Sequence, residues 1–182
     1  LQYPGDVKKL SEVLSPTIGL ITGAGKAHVE HFRSVREIAK EKLKLVAGMN
    51  ADSKILINGD SAPLRGEANS RTGYDFIQYG KGNPDRDYCA TDVAIRGIDG
   101  LEFQLNYPKS QGVTGERKDD SSLLLESRLN SEGNVYNILG ASASTLEIGI
   151  YPTDVKKGVD ILPLSQRLNP IEFPGGVVID DT

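Results

Sequence analysis

The sequence of 182 residues is poor in cysteine and has no excess of positive charge. Its one cysteine, Cys89, excludes an internal disulfide and any zinc site built from several cysteines, and it fits a reducing compartment. The formal net charge of −4 gives no general attraction to nucleic acid or to anionic lipid, so any anion site has to be local. We therefore expect no nucleic-acid partner.

Long apolar runs are also missing. No stretch reaches the roughly 18 residues that a membrane span needs, and no basic segment followed by an apolar one opens the chain. We expect neither a membrane span nor a signal peptide, and hence a cytoplasmic protein. The composition is globular, with 38% hydrophobic and 25% charged residues. Because the chain begins at Leu1 without a methionine and ends directly after an apolar run, we expect a piece of a longer protein.

Hydrophobic spacing in the first half of the chain predicts an α/β arrangement. Residues 8–14 have the pattern of a short amphipathic helix, and residues 17–22 that of a buried strand. A second helix is predicted from Ser34, where Glu37 completes a capping box, to about residue 47. Lys54–Asn58 follows as a second buried strand. The order strand, helix, strand predicts a parallel crossover.

The second half changes to a period of two, which is typical of antiparallel strands. Thr91, Val93 and Ile95 alternate, a turn is predicted at residues 98–100, and apolar alternation resumes over residues 101–107. Further predictions are a polar surface loop over 109–122, a strand over 123–128, a helix over 134–148, a short helix from residue 153 and two strands within 171–179. The expected fold class is α/β, a partial parallel sheet flanked by helices with an antiparallel β-hairpin subdomain.

The segment ITGAGKAHVEHF, residues 21–32, places a glycine-rich turn before a lysine and two histidines. A Walker A phosphate loop requires G-x-x-x-x-G-K-[ST], because its amides hold phosphate while the hydroxyl binds magnesium. Relative to Gly25 and Lys26, the sequence has Leu20 and Ala27 at the required positions, which excludes the motif. The turn itself is more typical of an ordinary connection from strand to helix.

The same segment carries potential metal ligands, namely His28, Glu30 and His31. They match neither H-E-x-x-H nor the deaminase pattern H-x-E followed by P-C-x-x-C, so a metal site and a plain surface loop both stay open. Lys42 lies among the apolar positions of the second predicted helix. Such a lysine either extends along its stem to solvent or is held inside by an anion.

Two other features of the sequence carry potentially reactive side chains. Cys89 lies in a predicted strand, and no third group or G-x-S-x-G segment accompanies it, so a small buried hydrophobe is favoured over a nucleophile. Asp180 and Asp181 end a strand, where α/β proteins bind ligands, although such carboxylates are equally often just solvated.

Several separated segments resemble one family, the Mur ligases that build the peptidoglycan stem peptide, most closely their D-alanyl-D-alanine-adding type. They occur in family order across nearly the whole chain. The segments are residues 3–6 (P-G-E-I in the family), 21–34 (I-T-N-I-G-x-A-H-x-E-x-F-G-S), 38–42 (I-A-x-A-K), 58–60 (N-x-D), 133–137 (H-N-x-x-N), Arg167 and 178–181 (I-D-D).

The resemblance implies an ATP-dependent amide ligase, in which an acyl phosphate forms on a substrate carboxylate and an amine then attacks it. It implies magnesium, which would neutralise charge that moves between phosphates. His28 would be a catalytic group and a magnesium ligand. Lys42 would be the lysine that can be carbamylated in this family, and its carboxylate would be a second catalytic and metal-binding group.

The resemblance also implies the ligands of the intact enzyme. Asn134 and Asn137 would approach the nucleotide, Arg167 its phosphates and Asp181 the ribose hydroxyls. The substrates would be ATP, a UDP-muramoyl peptide and D-alanyl-D-alanine.

The sequence departs from the family pattern at Gly23 (asparagine in the family), Arg33 (glycine) and Gly133 (histidine), and the phosphate loop G-T-N-G-K-T is not in the chain. We therefore expect the second half of the central ATP-binding domain, inactive alone, with an α/β part at 1–80, antiparallel strands at 86–130 and helices and closing strands at 131–182. An exposed apolar sheet edge would favour self-association.

Two alternatives stay open. One is a degenerate, non-catalytic relative that acts as a binding or scaffold module, which the three departures motivate. The other is a complete metal-binding domain unrelated to these ligases, in which His28, Glu30 and His31 converge on one ion.

Overall fold

The computed structural model describes residues 3–25, 31–108, 122–162, 169–173 and 176–180, the last two ranges by their backbone only. The helices of these ranges are α1 (Asp6–Leu14), α2 (Val35–Lys42), α3 (Ala62–Asn69), α4 (Glu132–Glu147) and α5 (Pro152–Asp160). The strands are β1 (Ile18–Ile21), β2 (Lys54–Asn58), β3 (Phe76–Lys81), β4 (Tyr88–Ile95), β5 (Leu101–Asn106), β6 (Ser122–Ser127), β7 (Asn169–Phe173) and β8 (Gly176–Asp180).

Six strands form one mixed sheet in the order β1-β2-β3-β4-β5-β6. Neighbours from β1 to β4 are parallel, whereas β4, β5 and β6 are antiparallel to one another. This confirms the α/β class, the parallel pairing of the first two predicted strands and the predicted hairpin. The hairpin continues the parallel sheet, because β4 pairs with β3 on one side and with β5 on the other. Strands β7 and β8 pair in a second, antiparallel sheet.

Helices cover both faces of the main sheet, which gives the described residues three layers. Along β2, Leu56 packs in the core shared with α4 and α5, whereas Ile57 packs in the core shared with α2 and α3. Both side chains are fully buried. A parallel strand covered on both faces needs a continuous apolar run, which explains the sequence KILIN. None of the helices described is long and apolar enough to cross a membrane.

Helix α4 supplies most of the second layer, and a glycine allows it to approach the sheet. Val135, Leu139 and Ala143 bury one face of the helix. A Cβ on Gly140 would lie 2.9 Å from the Cζ atom of the buried Tyr79 ring on β3. The glycine of this helix therefore permits close packing against the sheet.

Most predicted elements differ from the observed ones only in their bounds. Helix α1 begins two residues earlier than predicted, and α4 begins at Glu132. The second helix ends as an α-helix at Lys42 and continues as a 3₁₀ helix over Leu43–Gly48. Helix α3 and strand β3 were not predicted. The predicted loop lies outside the described residues except for Ser122, which begins β6.

The predicted alternation along β4 is interrupted by a bulge. The register with β5 shifts between Thr91 and Ala94, and Asp92 adopts a left-handed conformation with φ of 50°. Beyond the bulge, Ile95 is 44% exposed. The extra residue of a bulge breaks the period of two, which hydrophobic spacing alone does not reveal.

Candidate functional site

The ends of three parallel strands meet at the carboxyl edge of the sheet, where open α/β sheets bind ligands. Thr22 and Gly23 follow β1, Asn58 ends β2 and is followed by Gly59 and Asp60, and Lys81 ends β3. The Asn58 side-chain amide donates to the carbonyl of Thr22 over 3.1 Å, and the Asp60 amide donates to Asn58 Oδ1 over 3.0 Å. Polar side chains thus join the first two strand ends.

Lys42, the last residue of α2, turns toward this edge. Its side chain is half-buried, and Nζ donates to the carbonyl oxygen of Gly23 over 2.5 Å. Burial lowers the pKa of Lys42 below its ordinary value, because the ammonium form loses solvation. The sequence left open a lysine that extends to solvent and one held inside by an anion; in the structure Lys42 is half-buried, and its partner is a backbone carbonyl in place of an anion.

Asp60 accepts hydrogen bonds from three separate parts of the chain. Its Oδ2 accepts from the Lys81 amide over 2.6 Å and from the Tyr136 hydroxyl over 3.2 Å. Its Oδ1 accepts from Arg86 Nη2 over 3.3 Å. The carboxylate also lies against Gly80, where an added Cβ would be 2.7 Å from both oxygens. Asp60 therefore ties the turn after β2 to β3, to the β3–β4 loop and to α4.

Two arginines converge on the same turn. Arg86 Nη2 donates to the Gly59 carbonyl over 2.6 Å, and its Nη1 donates to Gln78 on β3. Arg65 Nη1 on α3 donates to the same carbonyl. The Arg86 side chain is only 11% exposed, and its Nε has no hydrogen-bond partner among the described residues. The Gly59 carbonyl thus accepts hydrogen bonds from both arginines.

The first turns of α4 lie beside this cluster. Ser131 caps the helix, with its Oγ accepting from the Asn134 amide over 3.3 Å. Asn134 is half-exposed and Asn137 is exposed, and their spacing of three places them on one side of the helix. Tyr136 links this segment to Asp60. Burial, and next the Asp60 charge, raise the pKa of Tyr136.

Lys81 extends from the sheet edge to the same helix. It forms an ion pair with Glu132, and its Nζ lies 5.9 Å from the centre of the Tyr136 ring. The hydrogen bond with Glu132 is the main reason why the pKa of Lys81 is raised. A groove of about 480 Å³ opens here, lined by Lys81, Gly82, Ala90, Thr91, Asp92, Val93, Ile95 and Glu132.

Three of the predicted site residues, His28, Arg167 and Asp181, lie outside the described residues. The proximity of His28 to Lys42, on which the predicted metal site depends, therefore stays a prediction. Lys42 nevertheless lies at the connection that leads to His28, because it contacts Gly23.

The remaining predicted candidates have clear positions. His31 packs on Tyr3 with ring centres 4.8 Å apart. Cys89 is buried at 2% exposure, and burial raises the pKa of its thiol, which confirms the small buried hydrophobe. Within the described residues, no three His, Cys, Asp or Glu side chains are grouped as a metal site.

Sequence reasoning singled out Asn58 to Asp60 only as a family match and missed Arg86 and Tyr136 as their partners. Arg86 is 26 residues from Asp60, and Tyr136 is 76 residues away. No local spacing connects positions this far apart. The available signal was Gly80 directly after the aromatic Tyr79, since a strand glycine often marks a close approach.

Comparisons with known proteins identify the family of the chain. Residues 2–145 match the Mur ligase middle domain. The UDP-N-acetylmuramoyl-tripeptide–D-alanyl-D-alanine ligase of Bacillus subtilis is 26% identical over 176 residues, which are 96% of this chain and 34% of that protein. The enzyme of the same name from Haemophilus influenzae is 26% identical over 185 residues, covering 99% of this chain and 36% of that protein.

Solved structures share the fold. A crystal structure of MurF from Acinetobacter baumannii has a TM-score of 0.82 at 20% identity and covers 100% of this chain and 37% of that one. The MurF ligase of Thermotoga maritima in complex with ADP has a TM-score of 0.74 at 18% identity, covering 100% of this chain and 39% of that one. The chain spans about a third of the length of the curated relatives above. Since the match extends over most of its residues, the chain belongs to the Mur ligase middle domain family.

Proposed function

We propose that this chain is part of an ATP-dependent amide ligase of peptidoglycan precursor synthesis that adds D-alanyl-D-alanine to a UDP-muramoyl peptide. The names of the relatives support the reaction. The structural observation that supports this proposal is the inward position of Lys42 at the carboxyl edge of the sheet. There it lies beside the strand end that leads to His28.

The lowered pKa of Lys42 supports its carbamylation. Only the neutral amine reacts with carbon dioxide, and the reaction forms an N–C bond and releases one proton. Burial favours the neutral amine and thereby increases the reactive fraction. The product is a carbamate, which carries a carboxylate group, at a place where the ammonium form of Lys42 is poorly solvated.

The donor atoms at this edge fit magnesium once Lys42 is carbamylated. Magnesium prefers oxygen ligands, and a carbamate supplies a hard carboxylate while an ammonium supplies none. The metal would be held by His28 and carbamylated Lys42. When bound, it would neutralise negative charge on the phosphates.

In the proposed reaction, a substrate carboxylate oxygen attacks the γ-phosphorus of ATP and ADP leaves. The amine of D-alanyl-D-alanine then attacks the acyl carbon and phosphate leaves. Asn134 and Asn137 would contact the nucleotide from α4, Arg167 its phosphates and Asp181 its ribose. Phosphoryl transfer depends chiefly on positioning and on preorganised donors.

We propose that the chain is the second half of the central domain and is inactive alone, since it contains no G-x-x-x-x-G-K-[ST] segment. A cytoplasmic location belongs to the same proposal, because Cys89 is a free buried thiol. Self-association would follow from the edge strand β1, whose Leu20 is 36% exposed.

The first experiment is carbon NMR of the chain in ¹³C-bicarbonate. We expect one carbamate resonance, which Lys42→Gln abolishes and which the matched variant Lys40→Gln retains, because Lys40 is exposed on the same helix. A spectrum without a Lys42-dependent carbamate resonance would refute the proposed carbamylation of Lys42.

The second experiment is calorimetric titration with magnesium and ADP. We expect binding that His28→Ala weakens and that His31→Ala, the change at the other histidine, leaves intact.

Turnover assays should detect no robust hydrolysis of ATP by the chain alone, and strong magnesium-dependent hydrolysis would contradict the proposal.

A degenerate binding or scaffold module is the second candidate function. Gly133, at the position of the family histidine, favours it, because the first turn of α4 then lacks that side chain. The same titration separates the candidates, since a scaffold would bind neither magnesium nor nucleotide.

A further inference from the structure

Arg86 contacts two consecutive residues of the turn that follows β2. One nitrogen, Nη2, donates to the Gly59 carbonyl over 2.6 Å and to Asp60 Oδ1 over 3.3 Å. The opposite nitrogen, Nη1, donates to Gln78 on the neighbouring strand. An arginine fork can make these bonds together because its planar donors have a fixed geometry, whereas a lysine ammonium is a point donor.

The position of the guanidinium is tightly restricted. Its Cζ atom lies 2.7 Å from the place where a Cβ of residue 59 would be, so the turn accommodates Arg86 only because Gly59 has no side chain. The Arg86 side chain is 11% exposed and that of Asp60 is 25% exposed. A partly buried ion pair is less screened by solvent than a surface pair.

From Asp60 the contacts continue to α4. The other carboxylate oxygen accepts from the Tyr136 hydroxyl and from the Lys81 amide. Tyr136 stands between Asn134 and Asn137 in the first two turns of the helix. A displacement of the Asp60 carboxylate would therefore move or release the segment that carries both asparagines.

We propose that Arg86 is a positioning residue of the nucleotide site, which acts through Asp60 and Tyr136 to fix Asn134 and Asn137. The inference rests on the proposed function, because that function gives the two asparagines their role. Arg86 itself contacts the turn after β2 and acts at a distance.

Arg65 provides a matched control, because it donates to the same Gly59 carbonyl but is not one of the three groups described above as donors to Asp60. In titrations of the chain with magnesium and ADP, we expect Arg86→Met to raise Kd about tenfold, the lower end of the range for residues that orient a ligand-binding group. Arg65→Met should change Kd less than twofold. Arg86→Lys should fall between wild type and Arg86→Met, because it keeps the charge and loses the fork.

A double-mutant cycle with Asp60→Asn tests the route. If Arg86 acts through Asp60, the two substitutions together should raise Kd hardly more than either does alone. Additive effects of Arg86→Met and Asp60→Asn, or equal effects of Arg86→Met and Arg65→Met, would overturn the inference. Arg86→Lys serves the same comparison if Arg86→Met does not fold.

Hydrogen exchange of the Lys81 amide supplies a readout without nucleotide, since this amide donates to Asp60. We expect exchange about tenfold faster in Arg86→Met than in Arg65→Met. A tenfold change in the exchange rate corresponds to the free energy of about one lost hydrogen bond. Equal rates would overturn the inference. If the unchanged chain bound no ADP while these rates differed, the proposed function would fail and the control of Asp60 by Arg86 would stand.

Discussion

A single added methyl group at Gly80 should disturb the Asp60 cluster directly. An alanine Cβ there would lie 2.7 Å from both Asp60 oxygens and 2.8 Å from Cγ, which is closer than real Cβ atoms approach other atoms. The carboxylate cannot simply rotate away, because Lys81, Tyr136 and Arg86 hold it. The strand therefore has to shift, and hydrogen bonds to the carboxylate break as it does.

The expected cost combines three effects. Overpacking costs about 1 to 3 kcal/mol, and a lost hydrogen bond to a charged group costs about 1.5 to 3 kcal/mol. Replacing a strand glycine with alanine returns roughly 0.5 to 1 kcal/mol through chain entropy. The net destabilisation of Gly80→Ala should be about 1.5 to 5.5 kcal/mol, which lowers Tm by roughly 3 to 22 °C in a domain of this size.

The assay is urea or thermal unfolding followed by circular dichroism, with Gly66→Ala as the control. Gly66 lies within α3, and a Cβ there would meet no atom within 4 Å. This control should gain up to about 1 kcal/mol from helix propensity. If Gly80→Ala proved as stable as Gly66→Ala, the packing of the Asp60 carboxylate against Gly80 would be refuted.

Two further changes test other contacts. Gly48→Ala should lower the free energy of unfolding in urea by about 3 kcal/mol. The reason is that its Cβ would lie 2.0 Å from the Ser11 carbonyl oxygen, a backbone atom of α1. Wild-type stability in this variant would contradict that contact. Burial lowers the pKa of Lys42 in the folded chain below the ordinary value of 10.5. At pH values between this lowered pKa and 10.5, the unfolded chain binds more protons than the folded chain. The stability of the wild type should therefore rise with pH in that range. In buffer free of carbon dioxide, Lys42→Met should lack this slope, and equal slopes would contradict the effect of burial.

The sequence predicted those elements whose local pattern agrees with their tertiary environment. The apolar run KILIN could be recognised as β2, and Ser34 as the cap of α2, where its Oγ accepts from the Glu37 amide over 3.2 Å. Helix α3 escaped prediction because it has only 8 residues and Gly66 weakens its local helical signal. Strand β3, FIQYGK, mixes polar and apolar residues without alternation, and its place between two parallel strands creates the strand.

The candidate site was predictable only in part. Lys42 was identified because a lysine among apolar helix positions is unusual, and the structure gives its partner as Gly23. The Asp60 cluster was not recognised, because Arg86 and Tyr136 become its neighbours only when the sheet and α4 assemble. Long-range hydrogen bonds leave no spacing in the sequence, so they require a three-dimensional structure.

The late position of α4 in the chain has a consequence for synthesis on the ribosome. This helix packs on β2, β3 and β4, yet it begins 114 residues after β1 begins. At roughly 5 to 20 residues per second, translation leaves one face of the earliest strands uncovered for roughly 6 to 23 seconds. The nascent chain should therefore require a chaperone during that interval more than a protein whose covering helices follow each strand directly.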